Sequence, residues 1–295
     1  MAEKDFRKKI TRNLNKIILV GLLFAIYLWS SIYRNTEANP SGFEVQVSFL
    51  DVGQGDATLL NFPGSKQVLI DGARGGFVTE EIKKRMPAND RNIEYVVATH
   101  PDADHIGGFA SVADSFTIGR FIRTKATSSS ATFTSLEEKL KGKNIKIDYA
   151  AKGDHLTFAP SATGELLWPP ENIEGLSSND SSIVLKIDYK NACALFTGDV
   201  ELEAQNQILA AYPKDYLKCE LYKIPHHGSG GALNMGFLEA VSPKYATISA
   251  GKNNSYGHPA QTVLDALGKI AALISRSDEL GTIDFVTSGG SWTKR

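Results

Sequence analysis

Four residues able to bind a metal ion, His100, Asp102, Asp104 and His105, fall within six positions of the stretch Thr99-His100-Pro101-Asp102-Ala103-Asp104-His105-Ile106-Gly107-Gly108. Imidazole and carboxylate donors without a thiolate suit Zn²⁺, Mn²⁺ or iron. The run before them, Ile93-Glu94-Tyr95-Val96-Val97-Ala98, is apolar and β-branched and predicts a buried strand. Gly107-Gly108 followed by Phe109-Ala110-Ser111-Val112 predicts a tight turn into a helix. Ligands at the end of a strand lie at the carboxyl edge of a sheet, where α/β proteins place their sites. Alternate residues of an extended segment point the same way, so His100 and Asp102 can share one ion, and Asp104 with His105 a second. A lone His or Asp at a strand end is ordinarily a solvated loop residue. Four of them packed between a strand and a Gly-Gly turn define a candidate metal centre.

Other candidates also sit at the ends of predicted strands. Asp56 closes Phe49-Leu50-Asp51-Val52-Gly53-Gln54-Gly55-Asp56, and Asp71 follows the strand Gln67 to Ile70. Asp71 by itself reads as a turn residue. Asn179-Asp180-Ser181-Ser182 precedes the strand Ile183 to Tyr189, and Gly198-Asp199 ends the strand Ala192 to Thr197. Asp199 reads either as a ligand or as the cap of a helix over Val200 to Ala211. Pro225-His226-His227-Gly228-Ser229 follows the strand Glu220 to Ile224. Two adjacent histidines point in different directions, so one is a candidate ligand and its neighbour a candidate substrate contact. Backbone N–H groups of Gly228 to Gly231 suit an anion. His258, in Asn253-Asn254-Ser255-Tyr256-Gly257-His258-Pro259, is a third candidate, as ligand or as proton donor to a leaving group. His155 reads as an ordinary turn or strand residue.

The central motif resembles the His-x-His-x-Asp-His signature of the metallo-β-lactamase fold, with Asp102 in place of the second His. Together with Phe49 to Asp56 upstream and Pro225 to Ser229 downstream, it resembles the soluble domain of the bacterial ComEC DNA-uptake (competence) family, over about residues 43 to 293. The resemblance implies a four-layer αββα sandwich with its site at one edge of two sheets. It implies two divalent ions, Zn²⁺ or Mn²⁺, held by His100 and Asp102 and by Asp104, His105 and His227, with Asp199 bridging. Asp71 would brace the metal-binding loop, and His226 and His258 would serve catalysis. Asp56, Asn179, Ser182 and Ser229 are the candidate substrate contacts. An Asn and a Ser stand near 179–182 in these relatives where other members of the fold carry a ligand His, which leaves the first ion short of a nitrogen donor. The activity implied is hydrolysis of DNA phosphodiesters through a metal-activated bridging water. The rivals are a lactonase or β-lactamase-like hydrolase and a tethered metal-binding module without turnover.

Composition and charge are consistent with this reading. The 295 residues are 42% hydrophobic and 22% charged, with a net charge of −1, so a large core is expected and any nucleic-acid contact must be local. The two cysteines, Cys193 and Cys219, exclude a disulfide-rich scaffold and a four-cysteine zinc site. Both lie in predicted strands and read as small buried thiols, with a single disulfide as the alternative outside the cytoplasm.

The chain divides into a basic segment 1–16, an uncharged segment 17–33, a linker 34–42 and a hydrolase domain 43–295. Ile17 to Trp29 is apolar all round apart from Gly21, with Tyr27, Trp29 and Tyr33 near its far end. Seventeen residues rise about 25 Å as a helix, which predicts a single transmembrane anchor with the basic flank in the cytoplasm and the domain outside the cell membrane. A cleaved signal peptide, giving a secreted protein, is the rival. With one apolar segment only, a role in DNA transport would call for a separate channel protein as partner.

Overall fold

The computed structural model describes residues 15–30 and 44–295. Two sheets lie face to face. One contains β1 (Val45–Phe49), β2 (Thr58–Phe62), β3 (Lys66–Ile70), β4 (Asn92–Ala98), β5 (Thr117–Arg123) and β6 (Ile147–Tyr149). The other contains β7 (His155–Ala159), β8 (Ala162–Trp168), β9 (Val184–Tyr189), β10 (Ala192–Phe196), β11 (Leu221–Lys223), β12 (Tyr245–Ile248) and β13 (Leu273–Arg276) in sequential order. The chain then returns to the first sheet as β14 (Ile283–Thr287) and β15 (Thr293–Lys294), giving the order β15-β14-β1-β2-β3-β4-β5-β6. The helices are α1 (residues 15–30), then α2 (Phe77–Arg85), α3 (Ala103–Ile106), α4 (Phe109–Ser115), α5 (Ala131–Gly142), α6 (Leu202–Ala211), α7 (Lys214–Leu217), α8 (Met235–Val241), α9 (Gln261–Lys269) and α10 (Ser277–Leu280).

Three apolar layers hold these elements together. Val47, Phe49, Ile70, Leu185, Phe196 and Phe285 fill the space between the sheets. Leu69, Val96, Ile82, Phe109, Val112 and Leu136 pack α2, α4 and α5 on the outside of the first sheet. Leu195, Tyr222, Ile208, Phe237 and Leu267 pack α6, α8 and α9 on the outside of the second. The result is the expected αββα sandwich. The second half of strand β4, Tyr95 to Ala98, is covered on both faces, which is why it reads as an apolar run and not an alternation. β3, β4, β5 and β6 run parallel, as do β10, β11, β12 and β13, so each set delivers its carboxyl ends to one edge.

Several expectations shift. Among the described residues no helix is long and apolar enough to cross a membrane. The described length of α1 rises about 24 Å against a hydrocarbon thickness of about 30 Å, so it does not support the spanning helix expected over 17–33. Residues 31–33, most of the basic segment 1–16 and the linker 34–42 lie outside the described residues. Strands β7 and β13 are additional to those expected. β13 has four residues directly after α9, too few for alternation to show. Helix α5 starts at Ala131, because the Ser130 hydroxyl accepts the Phe133 N–H as an N-cap. Asp199 does not cap α6: Asp180 Oδ1 accepts N–H bonds from Glu201 and Ala204 at 2.8 and 3.3 Å.

Cys193, on β10, and Cys219, just before β11, are joined in a disulfide with Cα atoms 4.9 Å apart, in place of the two separate thiols expected. The bond closes a sequence separation of 26, a constraint on the unfolded chain worth about 3 kcal/mol. Replacing both cysteines by Ser should lower Tm by about 8 °C in a thermal melt. Two titratable thiols in the denatured, unreduced protein would show that the bond is absent.

Candidate metal centre

Three loops of the first sheet interlock to carry the central motif. Asp56 N–H donates to the Asp104 carbonyl (3.1 Å), Gly72 N–H to the His105 carbonyl (2.6 Å) and Gly108 N–H to the Gly72 carbonyl (3.1 Å). The approach is close enough to demand glycine: a Cβ on Gly55, which has φ +133°, would lie 2.4 Å from the Asp104 carbonyl oxygen. The second sheet is tied in by Ile183 N–H to the Thr99 carbonyl (2.9 Å). The ligand loop is therefore fixed from both sheets.

One ligand group is buried and nearly complete. His105 Nε2 lies 3.3 Å from Asp199 Oδ2, and His227 Nε2 lies 3.5 Å from Asp104 Oδ2 and 3.6 Å from Asp199 Oδ2. Four donors at about 2.05 Å from a tetrahedral ion stand roughly 3.4 Å apart, so these spacings fit a divalent metal. The ring tautomers fit as well. His105 Nδ1 faces Asp71 Oδ2 at 2.9 Å and His227 Nδ1 faces the Ser249 carbonyl at 3.0 Å, which turns each Nε2 towards the ion. Asp71 is itself held by the Thr99 N–H and hydroxyl, both at 2.8 Å. It is fully buried behind His105. Asp71 is thus a positioning residue, in line with the bracing role that the resemblance implies.

The other ligand group is thinner. His100, His105 and Asp199 offer donor atoms within 4.8 Å of one another. His100 Nε2 is 3.7 Å from Asp102 Oδ2, while the Asp102 side chain is 42% exposed and accepts a 2.6 Å bond from the Ser178 hydroxyl. The Asn179 amide donates to Glu201 Oε1 at 3.1 Å, the oxygen that His226 Nδ1 also faces. Ser182 is buried, and its hydroxyl accepts the Asp199 N–H at 3.1 Å. It positions a ligand instead of contacting substrate as expected.

The charge balance calls for cations. Asp56, Asp71, Asp102, Asp104 and Asp199 converge here, with Lys223 as the one ammonium among the described residues that pairs with them. The Nε2 atoms of His100, His105 and His227, with Asp199 Oδ1, are buried and without a hydrogen-bond partner. Unpaired buried polar atoms are costly, and divalent ions in the two ligand groups would satisfy them. Without one, protons take its place. Burial opposes charge on His227, but Asp199, Asp56 and Asp104 raise its pKa to about 9. Burial likewise opposes charge on His105, and Asp199 and Asp71 push its pKa well above the ordinary value. Burial would raise the Asp104 pKa, yet His227 and His105 lower it to about 2.

Three other histidine-loop residues stand at the mouth. His226 and His227 both have left-handed backbones, at φ 49° and 53°, a strained pair of the kind found at functional sites. The turn splits them: His227 faces the ligands, and His226 Nδ1 faces Glu201 Oε1 at 3.1 Å with its Nε2 3.9 Å from Asp199 Oδ2. The His258 ring is centred 5.7 Å from that of His226. Burial, then His226 and His227, lower the His258 pKa, so it is neutral near pH 7. Ser229 is turned into its own loop, where its hydroxyl accepts the Gly231 N–H at 3.3 Å.

Asp56 is the largest departure from expectation. It is buried behind the centre, bonded to the Lys223 ammonium and 3.2 Å from His227 Nδ1, out of reach of a substrate in the cleft. Lys223, only 3% exposed, was missed from the sequence, as were Glu201 and Ser178. A lysine inside the apolar strand before His226-His227 is the signal that could have found the first; isolated polar residues in loops gave no signal for the others.

The profile of the Metallo-beta-lactamase superfamily matches residues 50–252, and the chain belongs to that superfamily. It is 26% identical over 296 residues to ComE operon protein 3 of Bacillus subtilis (strain 168), covering 93% of this chain and 36% of that protein. It is 26% identical over 249 residues to Competence protein ComA of Neisseria gonorrhoeae, covering 84% and 33%. The chain spans about a third of the length of these curated relatives. Among solved structures, the metallo-beta-lactamase fold protein YhfI of Bacillus subtilis superposes with a TM-score of 0.55 at 12% identity, over 83% of this chain and 100% of that one. That likeness concerns the fold alone. The chain is thus a metallo-β-lactamase-fold hydrolase related to competence proteins, with His/Asp groups suited to divalent metals.

Two predictions follow from the charges. Lys223→Met should destabilise the protein by about 3–5 kcal/mol in urea titrations, because it leaves Asp56 buried and uncompensated, and adding Asp56→Leu should recover much of the loss; no recovery would show that the pair is not coupled. The raised His227 pKa stabilises the metal-free fold fully below pH 6.5, and this is lost as pH rises through about 9. Metal must displace the same proton, so metal affinity should rise about tenfold per pH unit over that range while the Tm of chelator-treated protein falls. Affinity that does not change with pH in calorimetric titrations would remove His227 from the ligands.

Proposed function

We propose that this chain is a metal-dependent phosphodiesterase that cleaves DNA outside the cytoplasm. The observation that carries the reading is the double, carboxylate-rich ligand group with His226 held over Asp199 by Glu201. Two divalent ions, Zn²⁺ or Mn²⁺, would supply charge neutralisation at a phosphoryl group and lower the pKa of water. Asp102 in place of an imidazole makes the first group oxygen-rich, which favours the harder Mn²⁺ there. His105, His227, Asp104 and Asp199 would hold the buried ion, and Asp199 also reaches His100. Asp71 and Thr99 keep His105 in one tautomer. His226, oriented by Glu201 and partly open to solvent, is placed to pass a proton to the leaving oxygen. His258 would offer a neutral hydrogen-bonding ring to the substrate. Similarity to proteins named for competence supports DNA as the substrate.

The proposal includes membrane association, since Ile17, Leu23, Phe24 and Trp29 of α1 are exposed apolar residues, and a separate channel protein if the strand is to be imported. The Cys193–Cys219 bond supports an oxidising compartment. Carbonate extraction of cell membranes tests the association, and release of the chain into the supernatant would refute it.

The activity is tested on the full chain with labelled single- and double-stranded DNA under Mn²⁺, Zn²⁺ and EDTA. Cleavage should need metal, and Asp104→Ala should lose both cleavage and bound metal while staying folded. His226→Ala should keep its metal and lose about a hundredfold in rate. Hydrolysis of nitrocefin or a lactone without DNA cleavage would move the protein to the small-molecule hydrolases. Metal binding with no turnover at all would make it a binding module.

A further inference from the structure

The loop after β12 carries a feature that the hydrolytic centre does not use. Tyr256 is 61% exposed, and its ring lies nearly parallel to that of His258, with centroids 5.8 Å apart and planes at 26°. His258 is in turn 6.4 Å from the ring of the candidate ligand His227, again at 26°. A ladder of three rings therefore runs from solvent to the metal centre. Other exposed tyrosines of the domain are already occupied: Arg123 sits 4.9 Å over the Tyr149 ring and Lys186 sits 4.4 Å over that of Tyr216. Among the described residues, His258 is the one ring or cation stacked on Tyr256.

The backbone that carries this ring is held in place by the loop's own bonds. Asn254 Oδ1 accepts the N–H groups of Tyr256 (3.2 Å) and His258 (3.0 Å), and its amide donates to the carbonyls of Gly251 (3.0 Å) and His258 (2.6 Å). Gly251 N–H donates to Gln54 Oε1 at 3.0 Å, which ties the loop to the domain. Gly251 is also pressed on Gln54, where a Cβ would come within 2.7 Å of the backbone nitrogen. An aromatic side chain with two torsions, carried on a fixed backbone, loses little freedom when a flat group lands on it. Four residues earlier the same loop exposes Lys252, and an exposed aromatic with a nearby cation is the pairing that single-stranded nucleic acid exploits, base on ring and phosphate on ammonium.

We infer that Tyr256 is a stacking platform for a nucleobase next to the scissile phosphate, with Lys252 meeting the strand's backbone. This rests on the phosphodiesterase reading for the identity of the scissile group, but not for the binding itself. The platform makes the preferred substrate a strand with at least one unpaired base near the cut, and it tolerates any base, since every base has a flat face.

The test uses the full chain and a labelled thymidine decamer beside a decamer of the same backbone without bases. Binding is read by fluorescence anisotropy in EDTA, where turnover is removed, and cleavage is read separately in Mn²⁺. Tyr256→Ala should weaken binding of the thymidine strand about tenfold and leave the baseless strand unchanged. Tyr256→Trp should retain the wild-type preference. Lys252→Gln should weaken both strands alike. In Mn²⁺, Tyr256→Ala should raise KM about tenfold with kcat within twofold. Equal losses on both strands, no loss on either, or a wild-type protein indifferent to the presence of bases would overturn the platform. A base-dependent loss of binding without any cleavage would uphold the platform and refute the phosphodiesterase. Cleavage without base dependence would do the reverse.

Discussion

Crowding of carboxylates at one sheet edge is the constraint around which this fold is arranged. Asp56, Asp71, Asp102, Asp104 and Asp199 reach a common region, and most of them are buried. Like charges at such range repel strongly in a medium of low polarisability. The fold answers with one fixed cation, Lys223 against Asp56, and with imidazoles that take up protons or yield them to metal. Metal binding and proton release are therefore two faces of one electrostatic requirement. Asp56 and Lys223 belong to this balance, which is why a carboxylate in a glycine-rich loop turns inward and not toward substrate.

Rigidity supplies the rest. The carboxyl edges of both sheets are stitched together through Thr99 and Ile183, and the glycines of the three ligand loops let backbones approach where a Cβ would clash. Asp71, His226 and His227 all have left-handed backbones. Each would cost an isolated peptide free energy, and each is held by bonds made on either side, such as Asp71 N–H to the Val97 carbonyl and His226 N–H to the Gly198 carbonyl. The strained pair has a clear consequence: it aims neighbouring rings at different targets, which no extended or helical path through two adjacent residues would do as sharply.

How much of this was legible in the sequence depends on whether a residue's partner is near in the chain. His100 to His105 were readable because a buried strand and a Gly-Gly turn bracket them, so density alone signals a site. Apolar runs ending in polar clusters marked the strands, while the αββα arrangement was what the family resemblance implied. Glu201 and Ser178 were not legible, and Lys223 showed only as a lysine inside an apolar strand, because each acts through a partner far along the chain: His226, Asp102 and Asp56 respectively. The same holds for Ser182, whose type suggested substrate but whose burial makes it a support for Asp199. Strand β13 and the Cys193–Cys219 bond also depend on register between distant segments, which no local pattern encodes.

The two ligand groups are unequal, and the inequality bears on how the centre would be used. His105, His227 and Asp199 are buried and closely spaced; the two rings are fixed through Nδ1 by Asp71 and the Ser249 carbonyl, and Asp199 through its backbone N–H by the Ser182 hydroxyl. Asp102 is half in water and held by one hydroxyl. Tight geometry favours a resident ion, while a water-facing carboxylate leaves coordination positions that an incoming oxygen can fill. Chemistry would then be biased to the side of the cleft where Asp102 and Ser178 lie, with His226 held through Glu201 next to Asn179, while the His258 and Tyr256 rings extend from His227. A substrate long enough to touch both sides, with an anionic oxygen at one and a flat group at the other, uses the whole of this asymmetry; a compact lactam or lactone would leave the ring ladder idle.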